Sequence, residues 1–315
     1  MAGDDLTSGL FRLRFKALGT QCEVQFRTDA VEAAKEFRAA ALGWIKVFED
    51  TWSRFKPESL LSEINAKAGK EAIELSEEQE AILWLCDRTF RGTGGLVDPT
   101  SLPLTLLWDE GARRNRIPTD GEVAAALEKV SWPTVEWGKG SVFLPRKGMA
   151  LEIGGFGKEH AVDVLMTLAA RHDISDVLVD LGRDLAARGE PPHGSLWVVG
   201  VEDAREEDAP AIRLAFSGKA LATSGNGRRF REIGGERFGH IIDPRDGRPV
   251  ENDLLTATCL ADDCLTAGWY ATSACILGPD AGLEQIERHL GLDGILQTVA
   301  DMRYSQTIHR YVLKN

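Results

Sequence analysis

Residues 153–163 read IGGFGKEHAVD and combine residue types that could hold a phosphorylated ligand. Gly154, Gly155 and Gly157 run directly into Lys158 and a segment with helical patterning. Glycines let backbone N–H groups approach an anion closely, and the lysine adds a point charge. Because the stretch matches neither the P-loop nor the dinucleotide GxGxxG pattern, the glycine run taken alone also fits a tight turn.

Two later stretches carry further candidates. TSGNGRRF, residues 223–230, offers hydroxyls, flexible backbone and two arginines after a strand-like run, as a phosphate loop or a plain hairpin would. HIIDPRDGRP, residues 240–249, places His240 at the head of a short strand-like run and Asp243 at its tail. A lone histidine beside an apolar pair is more often structural than catalytic, so His240 needs support from its surroundings. HExxH and GxSxG are both missing, which disfavours a zinc protease and a serine hydrolase.

Composition excludes several classes of protein. The 315 residues carry a formal net charge of −12, which disfavours a nucleic-acid partner. Five cysteines form an odd set without CxxC spacing, so we expect buried thiols rather than disulfides or zinc. No apolar run is long enough to cross a membrane, and the first fifteen residues lack a signal-peptide core. These features predict a cytoplasmic protein without a membrane partner.

The elements around these stretches predict an α+β fold, with mixed β-sheets and flanking helices. Alternating residues on both sides of Gly19-Thr20 predict an opening hairpin, and helical spacing predicts helices over 30–50, 76–90, 121–130, 158–172 and 264–278. We expect further strands at 148–155, 176–182, 196–202, 212–218, 220–225, 240–244, 254–261, 294–300 and 306–313. The stretch 97–108 is expected to be a rigid turn because of its two prolines. With no convincing linker, residues 1–315 are predicted to form a single domain.

The order of these motifs resembles the FAD:protein FMN transferases of the ApbE type. The similarity runs from Gly19-Thr20 to about Leu277-Gly278. It includes ALGTQCEV, SRFKPESLLSEIN, VDPTSLPLTLLW, EIGGFGKEHAVD, DLGRD, TSGNGRRF and HIIDPRDGRP, in the family's order. Each motif is weak by itself, whereas the ordered set is specific. The resemblance also implies the family's architecture, which is related to the T-fold.

The resemblance implies a reaction and a set of site residues. Such enzymes use FAD with Mg²⁺, attach FMN through a phosphoester to a threonine or serine of a partner flavoprotein, and release AMP. The implied catalytic residues are His240 and Asp243, and the implied metal ligands are the Gly157 carbonyl and Thr272. The implied flavin-nucleotide contacts are Gly154, Gly155, Gly157, Lys158, Asp163, Asp98, Thr100, Thr223, Ser224 and Gly225.

The sequence departs from the family pattern where Mg²⁺ is expected. Gly268 stands where the family has an aspartate ligand, and glycine offers a cation no side chain. Asp263 lies about 140° away around a helix from position 268, so it cannot simply replace that ligand. Glu152 and Asp184 are candidates for a displaced carboxylate.

Further departures surround the glycine-lysine stretch. Glu159 and His160 replace a glycine and a tyrosine after the lysine, and Arg183 replaces a glycine. Glu159 adds negative charge near the expected phosphates, whereas Arg183 adds positive charge. Two alternatives to the transferase therefore stay open. The chain could bind or escort flavin without transfer, or the fold could serve another reaction of a cofactor pathway.

Overall fold

The computed structural model describes residues 9–205, 210–227 and 229–313, and its elements agree with most of the predicted pattern. The helices are α1 (Val31–Trp52), α2 (Leu60–Ala66), α3 (Glu77–Gly92), α4 (Leu102–Arg113), α5 (Asp120–Leu127), α6 (Gly157–Arg171), α7 (Cys264–Leu277) and α8 (Pro279–Arg288). The strands are β1 (Leu10–Ala17), β2 (Thr20–Arg27), β3 (Ile73–Glu74), β4 (Glu136–Gly138), β5 (Ser141–Phe143), β6 (Asp176–Leu181), β7 (Leu185–Arg188), β8 (Trp197–Glu202), β9 (Pro210–Phe216), β10 (Lys219–Gly225), β11 (Phe230–Ile233), β12 (Glu236–Gly239), β13 (Ile242–Asp243), β14 (Arg248–Pro249), β15 (Leu254–Ala261), β16 (Asp293–Thr298) and β17 (Met302–Tyr304).

An eight-stranded antiparallel sheet organises the molecule, in the order β1-β2-β6-β7-β10-β15-β16-β17. Alternate side chains of its strands face opposite sides. On β6, Val177 and Val179 pack with α1, α6 and α7, whereas Leu178 packs with the β8–β9 hairpin on the other face. The sheet and its flanking helices confirm the predicted α+β class.

Local signals explain why several elements begin where they do. The Ser76 hydroxyl accepts from the Gln79 amide while the Gln79 side chain accepts from the Ser76 amide, which completes the capping box at the start of α3. The Ser59 hydroxyl caps α2 by accepting from the Ser62 amide, without the reciprocal bond. All five cysteines are buried free thiols, as predicted.

Three predictions about individual elements were wrong. Residues 148–155 form a loop rather than a strand, because the Asn65 side chain bonds both the amide and the carbonyl of Leu151 and takes the place of a neighbouring strand. Instead of a strand at 306–313, Ile308–Arg310 form a short 3-10 turn, and Val312 makes an isolated antiparallel bridge to β9, in which the Ala215 amide donates to the Tyr311 carbonyl and the Leu313 amide donates to the Arg213 carbonyl. The expected turn at 97–108 continues into α4, since Pro103 stands in the first helical turn, where no amide donor is needed.

Two other segments need a separate comment, one because its strand is shorter than predicted and one because it is only partly described. The strand expected at 240–244 is reduced to the two residues of β13. The charge-rich connection at 202–211 lies partly outside the described residues, as does Arg228. Among the described residues, no helix combines the length and apolar character needed to cross a bilayer.

Candidate functional site

A cavity of about 1570 Å³ lies between the glycine-lysine bend, the end of β10 and the segment that follows β12. Its lining includes Gly154, Gly155, Gly157 and Lys158 from the bend, Thr223, Ser224 and Gly225 from β10, and His240. These segments lie far apart in sequence. The structure therefore brings most of the predicted site residues to one opening.

The bend and β10 are joined through one buried carboxylate. Lys158, in the first turn of α6, forms an ion pair with Asp184, whose side chain is only 3% exposed. The same carboxylate accepts a long hydrogen bond of 3.4 Å from the Thr223 amide. Because Asp184 neutralises Lys158, the lysine does not present the free point charge that the sequence suggested.

The end of β10 presents hydroxyls that are already paired with each other. Thr223 Oγ1 lies 2.9 Å from Thr258 Oγ1 on β15, and Ser224 Oγ lies 2.8 Å from Thr272 Oγ1 on α7. A Cβ atom at Gly225 would lie 2.4 Å from the Leu255 carbonyl oxygen, so only glycine fits there. The predicted metal ligand Thr272 thus belongs to the same wall as Ser224.

His240 lies in the cavity wall with a defined tautomer. Its Nδ1 is 3.1 Å from the Arg229 carbonyl oxygen, which can only accept, so Nδ1 carries the proton and Nε2 keeps a lone pair. Burial lowers the pKa of His240 below its ordinary value. The neutral ring can therefore accept a proton at Nε2 near pH 7.

Asp243 and Asp163, in contrast, have their carboxylates engaged by other groups of the chain. The Arg245 side chain grips both oxygens of the Asp243 carboxylate, the shortest contact being 2.6 Å, and Asp243 is not in the cavity lining. Asp163 accepts from the Cys264 amide at 2.8 Å and the Leu265 amide at 3.0 Å. It therefore caps the start of α7 rather than facing a ligand.

Asp98 and Thr100 organise a turn beside the cavity. Asp98 accepts from the amide and the hydroxyl of Thr100, the latter at 2.6 Å, and from the Trp132 amide. Only Asp98 of the two lines the cavity, because Thr100 is fully buried. Burial raises the pKa of Asp98. Thr100 holds the Asp98 carboxylate in place through its amide and its hydroxyl.

Glu159 and Gly268, the two departures from the expected pattern, lie against each other. A Cβ atom added at Gly268 would come 2.6 Å from Cγ of Glu159 and 2.8 Å from its Oε1. Glu159 is 6% exposed, lines the cavity, and has one carboxylate oxygen without a hydrogen-bond partner among the described residues. Burial raises the pKa of this carboxyl group, and the charge of Lys158 partly offsets that effect.

Comparisons with known proteins agree with this geometry. The profile of the ApbE family matches residues 18–296. The chain belongs to the ApbE family. A Vibrio cholerae protein named FAD:protein FMN transferase is 26% identical over 293 residues, covering 91% of this chain and 87% of that one. One of the same name from Escherichia coli K12 is 29% identical over 283 residues, covering 88% of this chain and 81% of that one.

Two solved ApbE structures have the same fold. The ApbE protein of Thermotoga maritima superposes with a TM-score of 0.87 at 24% identity, covering 97% of this chain and 100% of that one. The flavin transferase ApbE of Vibrio cholerae gives a TM-score of 0.82 at 22% identity, covering 96% and 99%. At these identities the structures establish the shared fold and leave the residue roles to the geometry of this chain.

For an ApbE protein, the corner between α6 and α7 has to be tested as a cation site. Within the described residues, no three His, Cys, Asp or Glu side chains gather as a metal site would require. The corner nevertheless offers the orphaned oxygen of Glu159 and the hydroxyl of Thr272, and both are hard donors. Hard oxygen donors suit Mg²⁺, which usually takes few protein ligands and keeps several waters. The residues present therefore fit such an ion.

Sequence reasoning missed two partnerships at this ApbE site. The pairing of Lys158 with Asp184 joins residues 26 positions apart by their numbers, and no local pattern announces it. The contact of Glu159 with Gly268 could have been inferred from the sequence. Relative to the family pattern, Glu159 adds a carboxylate and Gly268 removes one. Considered together rather than one by one, the two departures could have been read as compensating.

Proposed function

We propose that this protein is an FAD:protein FMN transferase. The supporting observation is that the bend, the end of β10 and the neutral His240 line one cavity of about 1570 Å³ in a chain of the ApbE family. That volume exceeds the roughly 300–1,000 Å³ of ordinary ligand pockets and suits a dinucleotide. The relatives named FAD:protein FMN transferase support the same activity.

The proposed step transfers FMN to a hydroxyl of the partner. The oxygen of an acceptor threonine or serine attacks the phosphorus on the FMN side of the FAD pyrophosphate. A new P–O bond forms, the bond to the AMP phosphate breaks, and AMP leaves with the electron pair. Nε2 of His240 accepts the proton of the attacking hydroxyl, since Nδ1 is already committed to the Arg229 carbonyl.

The bend, β10 and a bound cation have separate roles in this proposal. Backbone N–H groups around Gly155 would face the phosphates, since the Gly157 amide already donates to the Ile153 carbonyl, and the hydroxyls of Ser224 and Thr272 would orient them from β10 and α7. The Gly157 carbonyl and the Thr272 hydroxyl would hold a divalent cation. Such a cation, when bound, supplies charge neutralisation on the non-bridging oxygens. We retain a cytoplasmic location and a flavoprotein acceptor as predictions.

Release of AMP tests the proposal directly. The protein is incubated with FAD, Mg²⁺ or Mn²⁺, and an extract of the source cells as a mixture of acceptors; AMP is measured by chromatography and protein-bound flavin by fluorescence after denaturing electrophoresis. We expect both products, and we expect His240→Gln to lower the rate by about 10²-fold or more because it lacks a proton acceptor.

His289→Gln is the matched control, because His289 is exposed and lies outside this cavity. It should leave the rate unchanged. FAD binding without AMP in any metal, or a His240→Gln variant as fast as the unmodified protein, would overturn the proposed function.

A further inference from the structure

Glu159 is a buried carboxylate whose position calls for a partner from outside the chain. It lies in the cavity wall at 6% exposure, and one of its oxygens has no hydrogen-bond partner among the described residues. A buried carboxylate without compensation is strongly unfavourable, so it either keeps a proton or meets a cation. Because Glu159 lines the cavity, a cation from solution can approach it there.

The neighbouring charged groups do not supply that cation. Lys158 is next in sequence, but its ammonium is paired with Asp184. The other candidate carboxylate, Glu152, accepts from the Thr105 hydroxyl at 2.9 Å and lies 3.8 Å from Arg54. Of the acidic side chains considered for a displaced ligand, Asp184 and Glu152 both have partners. Glu159 has an oxygen without a hydrogen-bond partner and no cationic side chain paired with it among the described residues, whereas Asp184 Oδ2, which also lacks a hydrogen bond, faces the ammonium of Lys158.

The contact with α7 places Glu159 beside the predicted metal ligands. Its carboxylate fills the space that a side chain at Gly268 would occupy. Thr272 follows one helical turn later on α7, on the same face as position 268. Gly157, the first residue of α6, lies two residues before Glu159. Carboxylate, hydroxyl and carbonyl oxygens therefore belong to two helices that pack together.

We propose that Glu159 is the carboxylate ligand of a divalent cation bound with the Gly157 carbonyl and the Thr272 hydroxyl. The ligand carboxylate thus comes from α6, while α7 contributes glycine at the facing position. This inference rests on the proposed function for the purpose of the ion, but the ion can be detected without any turnover. It replaces Glu152 and Asp184 as candidates for the displaced carboxylate.

Binding of Mn²⁺ without any nucleotide tests the assignment. The binding is measured as the loss of the electron paramagnetic resonance signal of the free ion. We expect Glu159→Gln, which keeps the shape and removes the charge, to weaken Mn²⁺ binding by at least about tenfold. Asp293→Asn is the matched control, because Asp293 is equally buried, at 6% exposure, and bonds Ser305 and Thr307 outside the cavity. Its Mn²⁺ affinity should stay within about twofold of the unmodified protein.

A second experiment tests whether an aspartate at position 268 can take the place of Glu159, and it also controls for misfolding. Glu159→Gly should bind Mn²⁺ at least about tenfold more weakly than the unmodified protein, whereas the double variant Glu159→Gly with Gly268→Asp should recover affinity to within about threefold, since it returns a carboxylate to the same corner. Thermal melting in metal-free buffer should show every variant folded. Mn²⁺ should raise the melting temperature of the unmodified protein, the Asp293→Asn control and the double variant, and leave that of the Glu159 single variants unchanged.

The two proposals fail in distinguishable ways. Unchanged Mn²⁺ binding in folded Glu159→Gln would overturn the ligand assignment, even if AMP release continued. Loss of Mn²⁺ binding in that variant would support the assignment, even if the unmodified protein released no AMP with any acceptor. A double variant that is folded but as weak as Glu159→Gly would also count against it.

Discussion

Asp163 and Glu159 lie one turn apart on α6, and both reach α7 from the same helix, yet their surroundings differ. Asp163 accepts from two backbone amides at the start of α7, so both of its oxygens have donors. Glu159 meets the bare Cα of Gly268 and keeps an oxygen without a partner. The comparison separates a carboxylate that holds two helices together from one that stays available for a ligand.

Burial acts on both carboxyl groups, so burial alone does not distinguish them. It raises the pKa of Asp163 to about 6, against the lowering effect of the two amide bonds, and it raises the pKa of Glu159 as well. What differs is the number of donors that the fold supplies. A site residue is therefore better identified by an unfilled hydrogen-bonding capacity than by its pKa.

The largest effect expected from this comparison is the loss of the α7 cap. Asp163→Ala leaves the Cys264 and Leu265 amides without their acceptor, so the free energy of unfolding should fall by about 2–4 kcal/mol. Urea unfolding measures this loss. Asp163→Asn is the control, since it keeps one oxygen acceptor and should lose less. A loss below about 0.5 kcal/mol for the alanine variant would contradict the capping role.

A smaller loss of folding stability is expected from crowding beside the Glu159 carboxylate. Gly268→Ala places a Cβ atom 2.6 Å from Cγ of Glu159, and overpacking of this kind should cost about 1–3 kcal/mol. In a Glu159→Ala background the same change should be neutral or stabilising, because alanine favours a helix over glycine by about 1 kcal/mol. A double-mutant cycle by urea unfolding gives the coupling.

Gly43→Ala is the control for helix propensity in that experiment. Gly43 lies inside α1, and no atom lies within 4 Å of its added Cβ. This variant should gain stability by up to about 1 kcal/mol. Equal effects of Gly268→Ala in both backgrounds would show that the two side chains do not compete for space.

The smallest expected effect is a pH dependence due to Asp163. Burial raises the pKa of Asp163 to about 6 in the folded protein, from the ordinary aspartate value of 3.8. The folded state therefore binds the proton more tightly, and the associated stability is present below pH 4 and lost as pH rises through 6. Between pH 5 and 6 the unmodified protein should lose about 1 kcal/mol relative to Asp163→Asn.

Unfolding midpoints for both proteins across that pH range give the difference profile, in which other titrating groups cancel. A flat profile would mean that the amide donors compensate fully for burial. A profile of the opposite sign would mean that they hold the Asp163 pKa below its ordinary value.

Local sequence patterns predicted the elements on either side of the cavity, but not all of the segments between them. Ser76 and Gln79 predicted the start of α3, and the alternation of apolar and polar residues predicted the β1–β2 hairpin. Both predictions held because these interactions involve residues close together in sequence. The predicted strand at 148–155 failed because Asn65, distant in sequence, bonds the backbone of Leu151. A short apolar run has the same sequence pattern whether its backbone forms hydrogen bonds with a neighbouring strand or with a side chain.

The sequence by itself determined the α+β class, the ApbE family and the residue types that gather at the cavity, because ordered motifs and periodicity are written along the chain. The tertiary structure alone decided which of those residues line the cavity and which are engaged elsewhere. It gave Asp163 to the α7 cap and Asp243 to Arg245, paired Lys158 with Asp184, and set Glu159 in the space left by Gly268. These outcomes depend on side chains from separate elements competing for the same donors and the same volume.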